Sequence, residues 1–276
     1  WIADETQRHP DSIALPTWPL VVPSTNDNDQ ELILSGTTDG RTAAYDAEGK
    51  LLWQKSFARR LIRSVCATTD GGIIIGLTSN DYTRADELVR LDKRGEEIWR
   101  STVQGRIESG PILVQDRVIV GLAAKGEERG YRTGVASIDV KSSKEIWYER
   151  LGAIPIALAG DGEGNIYAAG GGGSRVYGGH IVALDRNGST RWDMGFERNG
   201  PSVIVVTDNR VCFVARDDET LGLFTYTREG GFIKFAPVRS TARISSFPVV
   251  TPYGTIILAA ADRPLFLQNT GGGLFQ

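Results

Sequence analysis

Short apolar runs separated by polar turns recur along the whole chain. One set lies at residues 19–22, 64–67, 111–114, 155–158, 203–206 and 248–250. Each is followed by a turn rich in Asp, Asn or Gly, such as Asp70-Gly71-Gly72 or Asp161-Gly162-Glu163-Gly164-Asn165, and then by a second apolar run at 31–36, 73–76, 118–121, 166–170, 211–215 and 255–259. The runs are short, β-branched and bounded by residues that reverse a chain, so they predict strands and not helices.

A third stretch ends in a polar turn and leads to an aromatic. It reads Ala43-Ala44-Tyr45-Asp46-Ala47-Glu48-Gly49-Lys50-Leu51-Leu52-Trp53 in its first copy and Ile181-Val182-Ala183-Leu184-Asp185-Arg186-Asn187-Gly188-Ser189-Thr190-Arg191-Trp192 in its fourth. The aromatic marks are Trp53, Trp99, Trp147, Trp192, Phe232 and Phe275, with Trp1 in front, and they lie 40 to 52 residues apart. The Asp ends a third strand and the aromatic begins a fourth. Six units of four strands result, about 24 strands in all, which is the period of a β-propeller; a solenoid is the alternative. Closure favours the propeller, because Trp1 aligns with the start of a fourth strand while the last unit stops where its own would begin. The expectation is an all-β, six-bladed β-propeller of four-stranded antiparallel blades forming a single domain over 1–276, with repeats ending near 53, 99, 147, 192, 232 and 275. Its N-terminal strand completes the last blade.

These segments resemble the repeat of the pyrroloquinoline quinone (PQQ)-like propellers, and the resemblance covers essentially the whole chain. It is specific in the first four units and degenerate in the last two, where the Asp is missing. In such families the tryptophan packs between blades and glycine supplies the positive φ of the turn. The resemblance implies an extracytoplasmic setting, periplasmic or secreted, because the outer-membrane assembly lipoprotein that shares the repeat, but has eight blades, binds a protein partner. It also raises a quinone- or calcium-dependent oxidoreductase, or a polysaccharide-active propeller enzyme, as the alternative function. The larger quinoprotein dehydrogenases hold their cofactor with a Cys-Cys pair and a calcium set, and neither is matched here. No cofactor is predicted. The acidic run Asn26-Asp27-Asn28-Asp29 resembles the calcium loops of integrin-type propellers in a single copy.

Composition adds limits. A net charge of −3 argues against a general nucleic-acid binder, and no apolar run approaches the ~18 residues a membrane span needs. Cys66 and Cys212, the only two cysteines, sit in apolar runs of distant units and are expected as free thiols. The first residue is Trp1, as expected of a processed or excised chain.

Catalytic signatures are thin. There is no Gly-x-Ser-x-Gly, His-Glu-x-x-His or P-loop spacing. His9 and His180, the only histidines, read as surface or packing residues, and acidic turns such as the one at Asp161 read as turn chemistry before calcium chemistry. No catalytic or metal residue is assigned. The more suggestive set is expected in the loops before the innermost strands, around one mouth of the channel: Arg59, Arg60 and Arg63, then Arg106 and Glu108, then Arg198 and Asn199, then Arg239 and Arg243. Guanidinium forks suit carboxylates and phosphates. The chain is therefore read as a non-catalytic binding or scaffold module, monomeric in itself, for a protein or an anionic glycan. Replacing Arg60, Arg106 and Arg243 is expected to weaken an acidic ligand without lowering stability.

Overall fold

The alternation of β-branched residues with turn formers is realised as strands. The computed structural model describes residues 20–25, 30–37, 39–58, 60–79, 85–124, 132–171, 178–196, 201, 203–207, 209–217, 220–237, 249–250, 255–259 and 264–268. Among them every regular element is a strand, and the chain divides into two compact units, Trp1–Leu151 and Gly152–Gln276.

The first unit holds three four-stranded antiparallel sheets. They are β1 (Leu20–Val22), β2 (Leu32–Gly36), β3 (Arg41–Tyr45) and β4 (Leu51–Ser56); β5 (Leu61–Ala67), β6 (Ile73–Thr78), β7 (Glu87–Leu91) and β8 (Glu97–Thr102); and β9 (Arg106–Val114), β10 (Arg117–Ala123), β11 (Gly134–Asp139) and β12 (Glu145–Arg150). The second unit holds β13 (Ile154–Gly160), β14 (Ile166–Gly171), β15 (Gly179–Leu184) and β16 (Thr190–Phe196); β17 (Val203–Val206), β18 (Arg210–Asp217), β19 (Thr220–Thr227) and β20 (Phe232–Pro237); and a sheet whose described strands are β21 (Val249–Val250), β22 (Thr255–Ala259) and β23 (Pro264–Gln268). Each sheet is a meander in sequence order. In the first unit β1 adjoins β5 and β5 adjoins β9, so the first strands form the inner edge of successive blades.

Stacking buries both faces of the middle strands. Along β6, Ile73, Ile75 and Leu77 pack with Val22, Leu32, Leu34 and Phe57 of the preceding blade, whereas Ile74 packs with Val118, Val120, Leu122 and Ile138 of the following one. A strand with two buried faces reads as an unbroken apolar run, as Ile73-Ile74-Ile75 does. Each fully buried Ile contributes about 1.5–3 kcal/mol of transfer free energy. In the second unit the same role falls to aromatics, with Phe213 stacked between Phe224 and Tyr226 at centroid distances of 5.3 and 5.4 Å.

The repeat motif builds the joints between blades. Gly49, Gly95 and Gly188 close their turns by donating to the carbonyls of Asp46, Asp92 and Asp185 at 3.0, 3.1 and 3.0 Å. The Asp carboxylate in turn accepts backbone N–H groups, such as Arg94 and Glu96 at 2.8 Å on Asp92. The tryptophan then reaches forward by one blade. Trp53 Nε1 donates to the Lys93 carbonyl at 2.7 Å, Trp99 to Val140 at 2.9 Å and Trp192 to Arg228 at 2.8 Å, each acceptor lying in the corresponding turn of the next blade. Gly95 has φ +80°, and a Cβ there would lie 2.8 Å from Cδ2 of Trp53. Glycine is needed at that position for backbone and contact alike.

Two expectations about this motif are corrected. The fourth strands begin two residues before the tryptophan, at Leu51, Glu97, Glu145 and Thr190. Phe232 is not the fifth tryptophan equivalent either. It pairs with Tyr226 as Leu51 pairs with Tyr45, and Lys234 opposite Thr225 stands where Trp53 faces Ala44. Every one of these outer strands skips one residue of the ladder at the same point, and four of the skipped residues are the exposed Leu52, Ile98, Ile146 and Ile233. The missing Asp of the fifth unit is replaced in kind, since Thr227 Oγ1 accepts from the Gly231 N–H at 3.1 Å. Trp1 and Phe275 lie outside the described residues, as does the strand expected to complete the last blade.

Candidate functional site

The expected arginine rim is drawn from the ends of the inner strands, and the structure places its described members in strands as much as in loops. Arg63 lies within β5, and Arg106 and Glu108 lie within β9; only Arg60 precedes its strand. The polar stretch Arg106-Ile107-Glu108-Ser109 alternates half-buried and buried positions, the period of a strand. Arg59, Arg198, Asn199, Arg239 and Arg243 lie outside the described residues, as do His9 and the acidic run 26–29.

Arg63 is set apart by a bulge. The β5–β6 ladder pairs Ile62 with Leu77 and Ser64 with Gly76, so Arg63 is skipped and its side chain remains 43% exposed. Bulges re-aim side chains and recur at binding sites. The same break recurs in β13, where Ile156 is skipped between Pro155 and Ala157 and is 41% exposed.

Arg63, Arg106 and Glu108 come together. Arg63 Nη2 stands 3.2 Å from Glu108 Oε2 and 3.4 Å from the Glu108 carbonyl, while Arg106 Nε stands 3.2 Å from Glu108 Oε1. Two guanidinium groups thus share one carboxylate, and the Asp86 carboxyl also feels the charge of Arg106.

Arg60 has a different task. It is 10% exposed, pairs with Glu87 at 2.9 Å and donates to the Ala85 carbonyl at 2.8 Å. Glu87 also takes Arg100 at 2.8 Å, and Arg100 is shared with Glu97 at 2.8 Å. These contacts argue that Arg60 supports stability, because its guanidinium is built into the end of the second blade. Beside it the buried Asp86 accepts from the Ile107 N–H at 2.8 Å, and the Val103 N–H donates to the Asp86 carbonyl at 2.9 Å, tying this blade to the third. Burial pushes the Asp86 carboxyl up, against the hydrogen bond from Ile107. Sequence reasoning missed Asp86, Glu87 and Arg100, because the bonds Asp86–Ile107, Arg60–Glu87 and Arg100–Glu87 join different strands or segments.

The turns at the other ends of the strands are also occupied. Buried Arg90 pairs with Asp70 and donates to the Val140 carbonyl at 2.9 Å, the acceptor Trp99 also uses. In the second unit Asp161, its side chain 3% exposed, accepts from Asn165 Nδ2 at 2.9 Å, Tyr167 Oη at 3.1 Å and Arg228 at 3.2 Å. Burial alone raises the Asp161 carboxyl, yet these bonds and the backbone N–H groups at the turn hold it below the usual range. His180 Nδ1 lies 2.9 Å from Asp193 Oδ1 on the neighbouring strand. Cys66 and Cys212 are free thiols, and burial pushes Cys66 up to about 12. Among the described residues no group of three or more His, Cys, Asp or Glu side chains is arranged to hold a metal ion, and no helix is long and apolar enough to cross a membrane.

Comparison with known proteins places this geometry. The family model described as outer membrane protein assembly factor BamB, a PQQ-type model, matches residues 38–155. Among solved structures, BamB from Moraxella catarrhalis superposes with a TM-score of 0.55 at 14% identity, covering 96% of this chain and 90% of that one. The Dos1 propeller gives 0.61 at 11% identity, covering 94% and 70%. Quinohemoprotein alcohol dehydrogenase from Comamonas testosteroni gives 0.56 at 16% identity, covering 91% of this chain but 48% of that enzyme. No curated protein matches the chain by sequence. At these identities the likeness shows a β-propeller fold, and residues 38–155 match the PQQ-type repeat model.

Proposed function

We propose that the chain is a non-catalytic propeller that binds an acidic segment of a protein partner at the inner edge of its second and third blades. The observation that carries this reading is the Arg63 guanidinium, 43% exposed on a bulge and joined to Arg106 through Glu108. A carboxylate arriving there meets charged donors already ordered by the strands, which lowers the entropic cost of capture. In this reading six four-stranded blades form one ring over 1–276, the N-terminal strand completes the last blade, and the domain works outside the cytoplasm. The BamB likeness supports a protein as the partner, since that family is described as an assembly factor. An anionic glycan is the competing ligand.

An array of acidic peptides and uronic-acid oligosaccharides tests this. The wild type is expected to retain acidic peptides, with retention falling as salt rises, and Arg63→Ala and Arg106→Ala are expected to lose them while keeping the same thermal midpoint. Retention of the oligosaccharides alone transfers the site to a glycan. Equal retention by wild type and both variants sinks the proposal.

A further inference from the structure

We infer that Glu108 is a built-in competitor for the carboxylate-binding site, holding the place that a partner's acidic side chain takes on binding. This rests on the proposed function above and adds how the site is regulated. Each Glu108 oxygen faces one guanidinium, Oε1 toward Arg106 and Oε2 toward Arg63, both at 3.2 Å. That is the arrangement an incoming carboxylate requires, so ligand and Glu108 exclude each other.

The clamp is also looser than its neighbours. Charge-assisted N–H···O bonds settle near 2.7–2.9 Å, and the pairs Arg60–Glu87, Arg100–Glu87 and Arg132–Glu145 lie at 2.9, 2.8 and 2.7 Å. The Glu108 contacts are longer: the one to Arg106 Nε is an ion pair without a hydrogen bond, and the other partner is the exposed Arg63, where solvent screens the attraction. Release leaves the sheet intact, because the β9–β10 ladder skips Glu108, pairing Ser109 with Gly121 and Ile107 with Leu122. Arg63 Nη2 keeps a second contact, the Glu108 backbone carbonyl at 3.4 Å, so the guanidinium stays over β9 when the carboxylate swings away.

The competitor sets a threshold. A single weak carboxylate gains little over the one it displaces, whereas a segment carrying several acidic groups gains contacts that Glu108 cannot match. The site thereby discriminates for multiply acidic peptides over isolated carboxylates.

Fluorescein-labelled hexaglutamate, titrated by anisotropy at low ionic strength, reads this directly. Glu108→Gln removes the competing charge with little change in shape and is expected to tighten binding about two- to fivefold, the range set by a partly exposed ion pair. Glu48→Gln, the same charge change at an exposed turn, is expected to leave affinity unaltered. The double variant Arg63→Ala/Glu108→Gln is expected to lose the gain. Equal affinity of wild type and Glu108→Gln overturns the competitor while leaving the proposed function standing. An equal gain from Glu48→Gln also overturns it, by showing that net charge is responsible. Absence of binding by both wild type and Glu108→Gln overturns the competitor and the proposed function together.

Discussion

Replacing Gly95 with alanine should cost far more than a methyl group's worth of strain, because two independent penalties fall on it. The first is the backbone: at φ +80° an L-residue pays about 1 kcal/mol. The second is contact, since the new Cβ would lie 2.8, 2.9 and 3.1 Å from Cδ2, Cε3 and Cε2 of Trp53. The indole cannot simply retreat, because its Nε1 is held by the Lys93 carbonyl at 2.7 Å two residues before the glycine. Overpacking of this kind costs about 1–3 kcal/mol, so the total is about 2–4 kcal/mol. A double-mutant cycle in urea separates the two parts. In a Trp53→Leu background the contact penalty vanishes, and Gly95→Ala should then cost only about 1 kcal/mol, giving a coupling of about 1–3 kcal/mol. Gly162→Ala is the control, because a Cβ there meets nothing within 4 Å, and it should stay within about 0.5 kcal/mol of wild type. If Gly95→Ala costs the same with and without Trp53, the account of the joint is wrong.

The remaining expectations concern the ion pairs and the thiol. Arg60→Ala should destabilise by about 1–3 kcal/mol, because it leaves the Ala85 carbonyl and Glu87 short of a partner in a nearly buried setting, whereas Arg63→Ala should stay within about 0.5 kcal/mol; urea midpoints that fail to separate the two would contradict their assignment. Asp161 is held below the usual carboxylate range, so its contribution is present above the unfolded pKa of about 3.9 and is lost as pH falls through the lower folded value. The stability gap between wild type and Asp161→Asn should therefore be constant near neutrality and shrink in acid, and an unchanged gap at pH 3 would refute the linkage. Cys66 is half-buried and its thiol is pushed up to about 12, so it should react with iodoacetamide at pH 8 more slowly in the folded protein than in urea, as followed by mass spectrometry at that residue; equal rates would contradict the raised value.

How much of this was legible in the sequence depends on whether the signal was local. Apolar runs gave the first and second strands of every blade, because a strand covered on both faces needs apolar residues at every position, as β6 shows. The inner strand β9 was read too short, since only Pro111-Ile112-Leu113-Val114 was counted while the alternating Arg106-Ile107-Glu108-Ser109 carries the same period with polar members. Counting aromatics misplaced the fifth unit by two residues. What the joint requires is an indole N–H aimed at the next turn, and Phe232 has none. Thr227 was passed over because it is not Asp, although its hydroxyl accepts the same kind of bond. The arginines were the least legible. Charge says that a residue favours water or a partner, and Arg60 finds Glu87 across 27 residues of sequence whereas Arg63, three residues on, is lifted out of the ladder by a bulge.

The recurrent skip in the outer strands limits what could pair with them. An edge strand with free backbone groups invites another strand to pair with it, and β4, β8, β12, β16 and β20 each form an edge of their sheets. At Leu52, Ile98, Ile146 and Ile233 the backbone steps out of register, and an added strand would have to carry a matching kink to continue past it. The exposed apolar side chains at these steps are thus poor anchors for strand addition. The docking proposed above uses a different device, the single bulge in β5 that lifts Arg63 out of the ladder.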